Sequence, residues 1–266
     1  VHFCYLHSPM RYVWDWSREY LEENKLKGKR NLLVRIFLNY LRLWDRSSAQ
    51  RPDFLLANSS YTAKRIKKYY GRESRVIYPP VRIEDFSPGG EHQDYFLTVS
   101  RLSPYKRIDL LVDVFEKLNL PLKIVGEGSQ RAELEKKIQK GKNKKIQILG
   151  WVERKELIEL YQHSRAFVFA AEEDFGIAMV EALAAGKPVI ALRRGGAQEI
   201  VEEGKNGVFF QYAELEVVAD GLRQFIEKEK SFDSAVIRQT AEKFSSDRFK
   251  REITELIKEK INQEIK

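Results

Sequence analysis

Four carboxylates lie close together in the stretch AEEDFGIAMVE, residues 171–181. Glu172, Glu173 and Asp174 precede a Phe-Gly step, and Glu181 follows Glu173 by eight residues within an apolar helical pattern. A helix beginning at this step would present free N–H groups and a positive dipole end, which suit a phosphate or an oxyanion. Glu173 could accept hydrogen bonds from hydroxyls there. A buried Glu181 needs a donor, and a sugar or ribose diol would serve.

An alternative explains the same acids without a ligand. Glu172 and Glu173 would complement the helix dipole, and Glu181 would be a helix acid held in a salt bridge. The spacing alone does not separate the two interpretations.

Two cations form a second candidate group in SRLSPYKRID. Arg101 follows the strand-like run DYFLTVS, and Lys106 falls near the start of the next helical pattern. An Arg fork and a Lys point charge at such a junction can clamp a diphosphate. The alternative is that both are surface cations paired with Asp109 or Glu116.

Two further loops follow strand-like runs. Gly126 opens Gly-Glu-Gly, a fragment of G-x-G-x-x-G whose last position is Arg131, so it is a weak dinucleotide fingerprint. In ILGWV, a base could pack against the backbone of Trp151 and Val152, although core packing would also explain the tryptophan.

Other catalytic signatures are missing from the sequence. The four histidines are scattered, and neither a D-x-D pair nor G-x-S-x-G occurs. We therefore predict no metal site and no serine hydrolase chemistry.

The elements that must position these residues alternate regularly from about residue 94. Short apolar strand patterns and amphipathic helical patterns follow one another, which predicts an α/β fold with a mostly parallel sheet covered on both faces. Ligands bind such sheets at the carboxyl ends of the strands. The predicted strands are DYFLTVS, PLKIVG, KIQILG, AFVFA, PVIAL and GVFF. The helical patterns between them are KRIDLLVDVFEKL, SQRAELEKKIQK, ERKELIELYQHS, GIAMVEALAAG and AQEIVEEG.

The organisation along the chain is uneven. Residues 1–82 hold too few strands for a complete doubly wound sheet, and 83–93 resemble a Pro/Gly linker. Residues 94–243 would form a complete domain, and 244–266 a charged amphipathic helix that crosses back toward the first domain. The chain opens directly in a strand at Val1, so we expect a piece of a longer protein.

Composition narrows the class of protein. The 266 residues carry a net charge of +8, which favours an anionic partner. The densest basic run, KKIQKGKNKK (136–145), lacks the aromatic residues expected for base stacking, so nucleic acid is not expected. A second basic run is YTAKRIKKYYGR (61–72). The second run could contact anionic lipid headgroups. The single cysteine, Cys4, fits a reducing, cytoplasmic compartment.

Taken together, these stretches resemble glycosyltransferase family 4, the retaining GT-B enzymes. The resemblance covers essentially the whole chain and is strongest in SRLSPYKRID, IVGEGSQRAELE, EEDFGIAMVEALAAGKPVIALRRGG and FSSDRFKREI. It implies a GT-B fold with a complete C-terminal Rossmann-like donor domain and the partial end of an N-terminal Rossmann-like acceptor domain. HSPMRYVWD and EEDFGI further look like bacterial and archaeal mannosyltransferases of polysaccharide assembly, a softer match.

The resemblance also implies roles for the acids and the helix start. Glu173 would bind donor-sugar hydroxyls, and Glu181 would bind the nucleotide ribose. The sugar and phosphates would be held by the backbone amides of Phe175, Gly176 and Ile177.

For the cations, the resemblance implies that Arg101 and Lys106 neutralise the leaving diphosphate, so that no divalent metal is needed. The family usually has glycine before the arginine, where this chain has Ser100. Gly126, Trp151 and Val152 would line the donor pocket. His7 loosely matches a family histidine on the acceptor side.

We therefore predict a retaining hexosyltransferase that carries sugar from a nucleotide-sugar, with GDP-mannose favoured over UDP-sugars, to a glycan or lipid-linked acceptor. As an isolated piece, this chain is expected to bind donor but to transfer weakly or not at all. It would be cytoplasmic, with peripheral contact to an anionic membrane. The alternatives are a non-catalytic donor-domain relic, a glucosyl- or galactosyltransferase, and an NAD-dependent enzyme using GEGSQ.

Overall fold

A computed structural model of the protein describes residues 1–15, 28–88 and 93–264. The chain divides into two compact units. One comprises Val1–Tyr78 with Glu252–Lys266, and the other is Pro79–Arg251. Each has its own parallel sheet and its own cluster of buried apolar side chains.

The larger unit is built on a six-stranded parallel sheet with the order β6-β5-β4-β7-β8-β9. In chain order within this unit the pattern is 3-2-1-4-5-6, the doubly wound arrangement. The strands are apolar because helices cover both faces, and all four residues of β8 are buried. The strands are β4 (Phe96–Val99), β5 (Leu122–Val125), β6 (Ile146–Gly150), β7 (Phe167–Phe169), β8 (Val189–Leu192) and β9 (Gly207–Phe210).

Helices connect consecutive strands of this sheet. Their apolar faces pack on it, as Leu111, Val114 and Phe115 of α4 show by being fully buried. The helices of this unit are α4 (Ile108–Leu118), α5 (Arg131–Lys140), α6 (Arg154–His163), α7 (Ile177–Ala184), α8 (Ala197–Ile200), α9 (Leu215–Lys228) and α10 (Ser234–Ala241); α11 (Ser246–Glu264) begins here. The predicted α/β fold is confirmed, and the six predicted strands all form.

Two helices were missed in sequence. No element was predicted between residues 211 and 243, yet α9 and α10 lie there. In α9, Val218, Leu222 and Phe225 are fully buried at spacings of four and three, an ordinary amphipathic signal. In α10, Asp233 caps the helix by accepting from the amides of Ala235 and Val236.

The segment predicted to open a linker is packed into the larger unit. A 3-10 helix spans Ile83–Asp85, and the Phe86 side chain is only 2% exposed. Its ring makes an edge contact with Tyr161 at 5.7 Å between centroids. Phe86 therefore belongs to the core of this unit and anchors the segment, while Glu84, Ser87 and Pro88 are exposed.

The smaller unit contains a three-stranded parallel sheet in the order β1-β2-β3. Its strands are β1 (Phe3–Leu6), β2 (Phe54–Ala57) and β3 (Arg75–Val76), and its helices are α1 (Arg11–Trp14), α2 (Gly28–Ser48) and α3 (Ser60–Tyr70), together with the later part of α11. Helix α1 ends at Trp14, and residues 16–27 lie outside the described ranges.

The basic helix α3 does not present all its cations outward. Arg65 is 5% exposed and pairs with Asp15, while its Nη1 donates to the hydroxyl of Ser8 at 3.0 Å. Lys67 pairs with Glu73. The prediction that this helix presents its cations to lipid is therefore wrong for Arg65, which is buried and bonded to residues of its own unit.

Helix α2 has the largest run of exposed apolar side chains in the described chain. Its only fully buried residue among those described is Leu38. At 100° per residue, seven apolar side chains fall within an arc of about 140° on the outward face. They are Leu32, Leu33, Ile36, Phe37, Tyr40, Leu43 and Trp44, each at least 50% exposed. Within the described residues, no helix has the length and apolar character needed to cross a membrane.

Candidate functional site

Two of the predicted charged residues, Lys106 and Glu173, meet where the strand order of the larger sheet reverses. β4 and β7 are neighbours, with Leu97 in register with Phe167, and the chain winds outward from them in opposite directions. The loops after these two strands carry Arg101 and Glu173. A crevice at this switch point is where doubly wound sheets bind their ligands.

Lys106 and Glu173 form an ion pair across this edge. The Lys106 ammonium also lies 5.6 Å from the centroid of the Phe169 ring, a cation–π contact. Its side chain is only 12% exposed. The alternative of a surface cation paired with Asp109 or Glu116 therefore does not describe Lys106.

Arg101 remains available to a ligand. Its residue is exposed, and its guanidinium makes no ion pair or hydrogen bond with the part of the chain that the structure describes. Its loop is held in place because Ser100 N donates to the Val125 carbonyl at 3.0 Å and Leu102 N to the Glu127 carbonyl at 2.9 Å. The edge therefore offers one paired and one unpaired cation.

The glycines of GEGSQ are explained by this loop. A Cβ on Gly126, where φ is +136°, would lie 1.9 Å from the Ser100 carbonyl oxygen, and one on Gly128 would lie 2.1 Å from that of Leu102. Both glycines permit close approach of two backbones. They position Arg101, and this packing accounts for the motif without a dinucleotide.

The start of helix α7 presents free backbone N–H groups, and anion binding there stays a prediction. Helix α7 begins at Ile177 after Gly176 (φ +113°), with no side-chain cap. Within the described chain, the N–H groups of Gly176 and Ile177 donate to no protein acceptor. The ring of Phe175 is buried and makes an edge contact with Phe244 at 5.4 Å, which anchors this turn.

A second pair of glycines fixes the loop that carries Glu173. Gly196 N donates to the Glu173 carbonyl at 2.9 Å. A Cβ on Gly195 (φ +60°) would lie 2.2 Å from that same oxygen, and one on Gly196 would lie 2.2 Å from the Phe175 carbonyl oxygen. In sequence the pair was noted only as part of the family resemblance. Its physical purpose is to let the loop after β8 press against the acidic loop.

Glu181 is held by side chains of its own unit. Arg154 Nη1 donates to its Oε1 at 2.6 Å, and the Tyr161 hydroxyl donates to its Oε2 at 3.1 Å. The salt-bridged acid proposed as an alternative is therefore observed. Its side chain is 13% exposed, so the carboxylate still reaches the surface. Binding of ribose by Glu181 stays a prediction.

Burial and neighbouring charges shift the pKa values of Tyr161 and Arg154, the two residues that hold Glu181. Burial, reinforced by the neighbouring Glu181 carboxylate, raises the pKa of the Tyr161 hydroxyl well above its usual value. For Arg154, burial lowers the pKa, but hydrogen bonds and charge from Glu181 and Asp85 outweigh it and the net pKa is raised. Arg154 is thus a permanent cation and Tyr161 a permanent donor at neutral pH.

Trp151 does not pack in the core, which was the alternative explanation for this tryptophan. Its side chain is 74% exposed, so core packing does not account for it. Its backbone N–H donates to Glu127 Oε1 at 3.3 Å, and Val152 beside it is half-buried. The two residues follow β6, which lies at the sheet edge two strands away from β4.

His7 lies in the smaller unit. It follows β1, is exposed, and makes an edge contact with Tyr5 at 5.3 Å between ring centroids. This ring contact does not indicate a catalytic role for His7. An acceptor-side role for His7 stays a prediction.

Sequence reasoning missed two cations. Arg193 and Arg194 follow β8 directly, so two consecutive arginines at a strand end were the available signal. Arg193 stacks over Phe209 at 5.1 Å and lies 3.8 Å from Glu203, whereas Arg194 is exposed and forms no ion pair within the described ranges. As for metals, no group of three or more His, Cys, Asp or Glu side chains in the described part of the chain could hold an ion.

The family model for glycosyl transferases group 1 matches residues 82–244, more than half of the chain. This stretch contains both cations, the acidic loop and helix α7. The protein belongs to the glycosyl transferases group 1 family.

One curated relative is the uncharacterized glycosyltransferase MJ1178 of Methanocaldococcus jannaschii, 29% identical over 190 residues, which are 70% of this chain and 49% of the relative. The chain spans between 32% and 51% of the length of the five curated relatives it matches most strongly.

Two solved structures share the fold. The sucrose-phosphate synthase of Thermosynechococcus elongatus superposes with a TM-score of 0.79 at 18% identity, over 98% of this chain and 68% of that one. The Anabaena protein HepE, solved in complex with UDP and glucose, superposes with a TM-score of 0.74 at 24% identity, over 96% of this chain and 71% of that one. The GT-B type of fold is thereby confirmed.

Proposed function

We propose that this chain carries the donor-binding part of a retaining hexosyltransferase of glycosyltransferase family 4, acting on a nucleoside-diphosphate sugar. The observation that carries the proposal is the Lys106–Glu173 pair at the strand-order switch point, with the unpaired Arg101 beside it. A cation pair suits a diphosphate and the carboxylate suits sugar hydroxyls.

The ion pair suggests how donor binding proceeds. Without ligand, Lys106 neutralises Glu173. When a diphosphate arrives, Lys106 turns toward it, and Glu173 becomes free to accept hydrogen bonds from the sugar. Arg101 and the free N–H groups of Gly176 and Ile177 complete the anion site.

In the transfer step, the bond between the sugar anomeric carbon and the diphosphate oxygen breaks. The acceptor hydroxyl oxygen bonds to the same carbon from the same face, and its proton passes to the departing phosphate oxygen. Arg101 and Lys106 stabilise the negative charge that develops there, the step at which fixed charge contributes most. We propose that these cations make a divalent metal unnecessary; unchanged donor binding in EDTA is the expected result.

Donor binding to the purified chain is the decisive experiment. Isothermal calorimetry with GDP-mannose, UDP-glucose and NAD would compare wild type with Arg101→Ala and Glu173→Gln. We expect a nucleotide-sugar to bind and each variant to weaken it at least about tenfold, equivalent to about 1.4 kcal/mol. Arg107→Ala is the matched control, because this half-exposed cation lies in the same loop and faces Asp109 instead of the acidic loop. Binding of NAD alone would refute the proposal.

The donor sugar is a finer proposal. Mannose from GDP-mannose is supported by the resemblance of HSPMRYVWD and EEDFGI to mannosyltransferases. The structural neighbour HepE was solved with UDP and glucose, which supports the glucosyl alternative. The same titration decides between them, since the preferred donor binds more tightly.

We further propose that the acceptor is a glycan or a lipid-linked glycan, and that the protein works in the cytoplasm at the surface of an anionic membrane. Support comes from the apolar face of α2. Arg35 and Arg46 are exposed on the same helix and form no ion pair with the described residues. Apolar side chains flanked by cations suit an interfacial helix.

Vesicle sedimentation tests this contact. We expect binding to vesicles containing phosphatidylglycerol, weaker binding to phosphatidylcholine alone, and loss on Phe37→Ser with Trp44→Ser. Tyr212→Ser is the control, because Tyr212 is 57% exposed but lies on the larger unit. Equal sedimentation of wild type and the double variant would exclude α2 as the contact surface.

A second candidate is a donor domain that binds nucleotide without catalysis. It is favoured because the chain spans only 32% to 51% of the length of the five relatives it matches most strongly. We expect this chain to bind donor while transferring sugar weakly or not at all, and robust transfer by the purified chain would refute this expectation.

A further inference from the structure

We propose that Arg154 is a positioning residue that holds Glu181 in the orientation from which it accepts the ribose hydroxyls of the donor. The inference rests on the proposed function, since it assumes that a nucleotide ribose reaches Glu181. Arg154 was not singled out in sequence, because nothing in GWVERKEL marks it.

Arg154 bridges two carboxylates from distant parts of the larger unit. Its Nη1 donates to Glu181 Oε1 at 2.6 Å, and its Nη2 donates to Asp85 Oδ2 at 3.0 Å. Its guanidinium also lies 4.9 Å from the centroid of the Phe86 ring. These two ion pairs and the contact with the Phe86 ring fix the planar guanidinium in one position. A lysine has a single ammonium group and could not make the same set of contacts.

The two donors to Glu181 leave room for a diol. Arg154 bonds to one carboxylate oxygen and Tyr161 to the other. A carboxylate has about four acceptor sites, so one site on each oxygen remains. Because the side chain is still 13% exposed, those sites can receive the two neighbouring hydroxyls of a ribose without displacing either protein donor.

The anchor of Arg154 is itself fixed to the helix that carries Glu181. Asp85 ends the 3-10 helix Ile83–Asp85. Arg238 Nη1 donates to the Ile83 carbonyl at 3.2 Å and to the Ala184 carbonyl, at the end of α7, at 2.5 Å. The segment before β4 is thus tied to α7 at two points. The linked side chains of Asp85, Arg154 and Glu181 form a rigid brace. Rigid supporting contacts are what keep a binding group in productive geometry.

A purely structural ion pair would predict lower stability and nothing more. A positioning role makes a further claim: loss of Arg154 must reduce recognition of the ribose 2′-hydroxyl specifically. The measurement is therefore a ratio of affinities rather than an affinity.

The experiment titrates the chain with UDP, GDP and their 2′-deoxy forms by calorimetry. For the base that binds, we expect wild type to favour the ribonucleotide by about tenfold. Arg154→Lys should lower this ratio to about two while changing affinity for the deoxynucleotide little, and Asp85→Asn should lower it partly. Lys155→Ala, at the exposed neighbouring position, should leave it unchanged. Circular dichroism unfolding would establish that each variant is folded.

Glu181→Gln separates the two levels of inference. If it abolishes the ratio while Arg154→Lys keeps the full wild-type ratio, the positioning role is wrong and the donor site stands. If wild type does not distinguish ribose from deoxyribose, or binds neither nucleotide, Glu181 has no ribose to hold and the positioning role fails together with its premise. A double variant no worse than Glu181→Gln alone would show that Arg154 acts through Glu181.

Discussion

At the scale of single residues, the site depends on pairings between side chains far apart in sequence. Glu173 pairs with Lys106, and Glu181 pairs with Arg154. Glu173 and Glu181, the two carboxylates proposed to bind the donor, therefore each pair with a cation from another loop or helix. The donor would enter a site whose two carboxylates are already paired, so binding must exchange partners at Glu173 and add partners at Glu181.

Gly126 should be essential to the position of Arg101. Gly126→Ala places a methyl group against the Ser100 carbonyl in addition to imposing a positive φ, so we expect a loss of stability of about 3 kcal/mol and loss of donor binding. Gly204→Ala is the control, because Gly204 has φ +76° but open space, and about 1 kcal/mol is expected there. Urea unfolding and donor titration measure both; equal costs at the two positions would contradict the close-approach argument.

Lys187 should destabilise the folded protein while it is charged. The residue is 6% exposed, and burial lowers the pKa of its ammonium. Since the unfolded chain then holds the proton more tightly, stability rises with pH between the lowered pKa and the ordinary lysine value. We expect Lys187→Met to gain on the order of 1 kcal/mol at pH 7 and less at pH 9.5 in urea unfolding. A gain that does not shrink with pH would contradict this explanation.

At the scale of elements, the helices differ in how their apolar faces are used. Helix α9 buries Val218, Leu222 and Phe225 in the core of the larger unit, whereas α2 leaves seven large apolar side chains exposed. The same amphipathic pattern thus leads to a core helix in one place and to a free surface in the other. Only the second is a candidate for contact with a membrane.

The burial of α9 can be tested with two aliphatic residues of one helix. Leu222→Ala removes a fully buried side chain and should cost about 2–5 kcal/mol. Ile226→Ala truncates a side chain that is 36% exposed and should cost less than about 1 kcal/mol. Chemical denaturation measures both, and similar losses would mean that the face of α9 toward the core is assigned wrongly.

At the scale of the whole molecule, the residues proposed to bind donor all lie in one unit. Arg101, Lys106, Glu173 and Glu181, with the supporting Arg154, fall within Pro79–Arg251. This unit has its own six-stranded sheet and its own apolar core. His7 and the apolar face of α2 belong to the other unit, Val1–Tyr78 with Glu252–Lys266.

A fragment spanning residues 79–251 should therefore fold alone. We expect cooperative thermal unfolding and donor affinity within about threefold of the intact chain, because a complete doubly wound domain of this size buries enough apolar surface for stability. Differential scanning calorimetry and donor titration are the measurements. A fragment that lacks a cooperative transition would show that the larger unit depends on the smaller one.

The sequence by itself determined the alternation of strands and helices in 94–210 and the loops that carry the candidate site residues. These features follow from local apolar periodicity and from the rule that ligands meet the carboxyl ends of parallel strands. Helices α9 and α10 had the same kind of signal and were overlooked.

The tertiary structure alone decided which groups meet. The pairing of Lys106 with Glu173, the brace at Arg154, the exposure of Trp151 and the burial of Arg65 each depend on which strands become neighbours. In sequence, Gly126 resembles part of a dinucleotide-binding motif. In the fold, it lets the backbone approach the Ser100 carbonyl closely. Such contacts are long-range, so a pattern confined to neighbouring residues does not contain them.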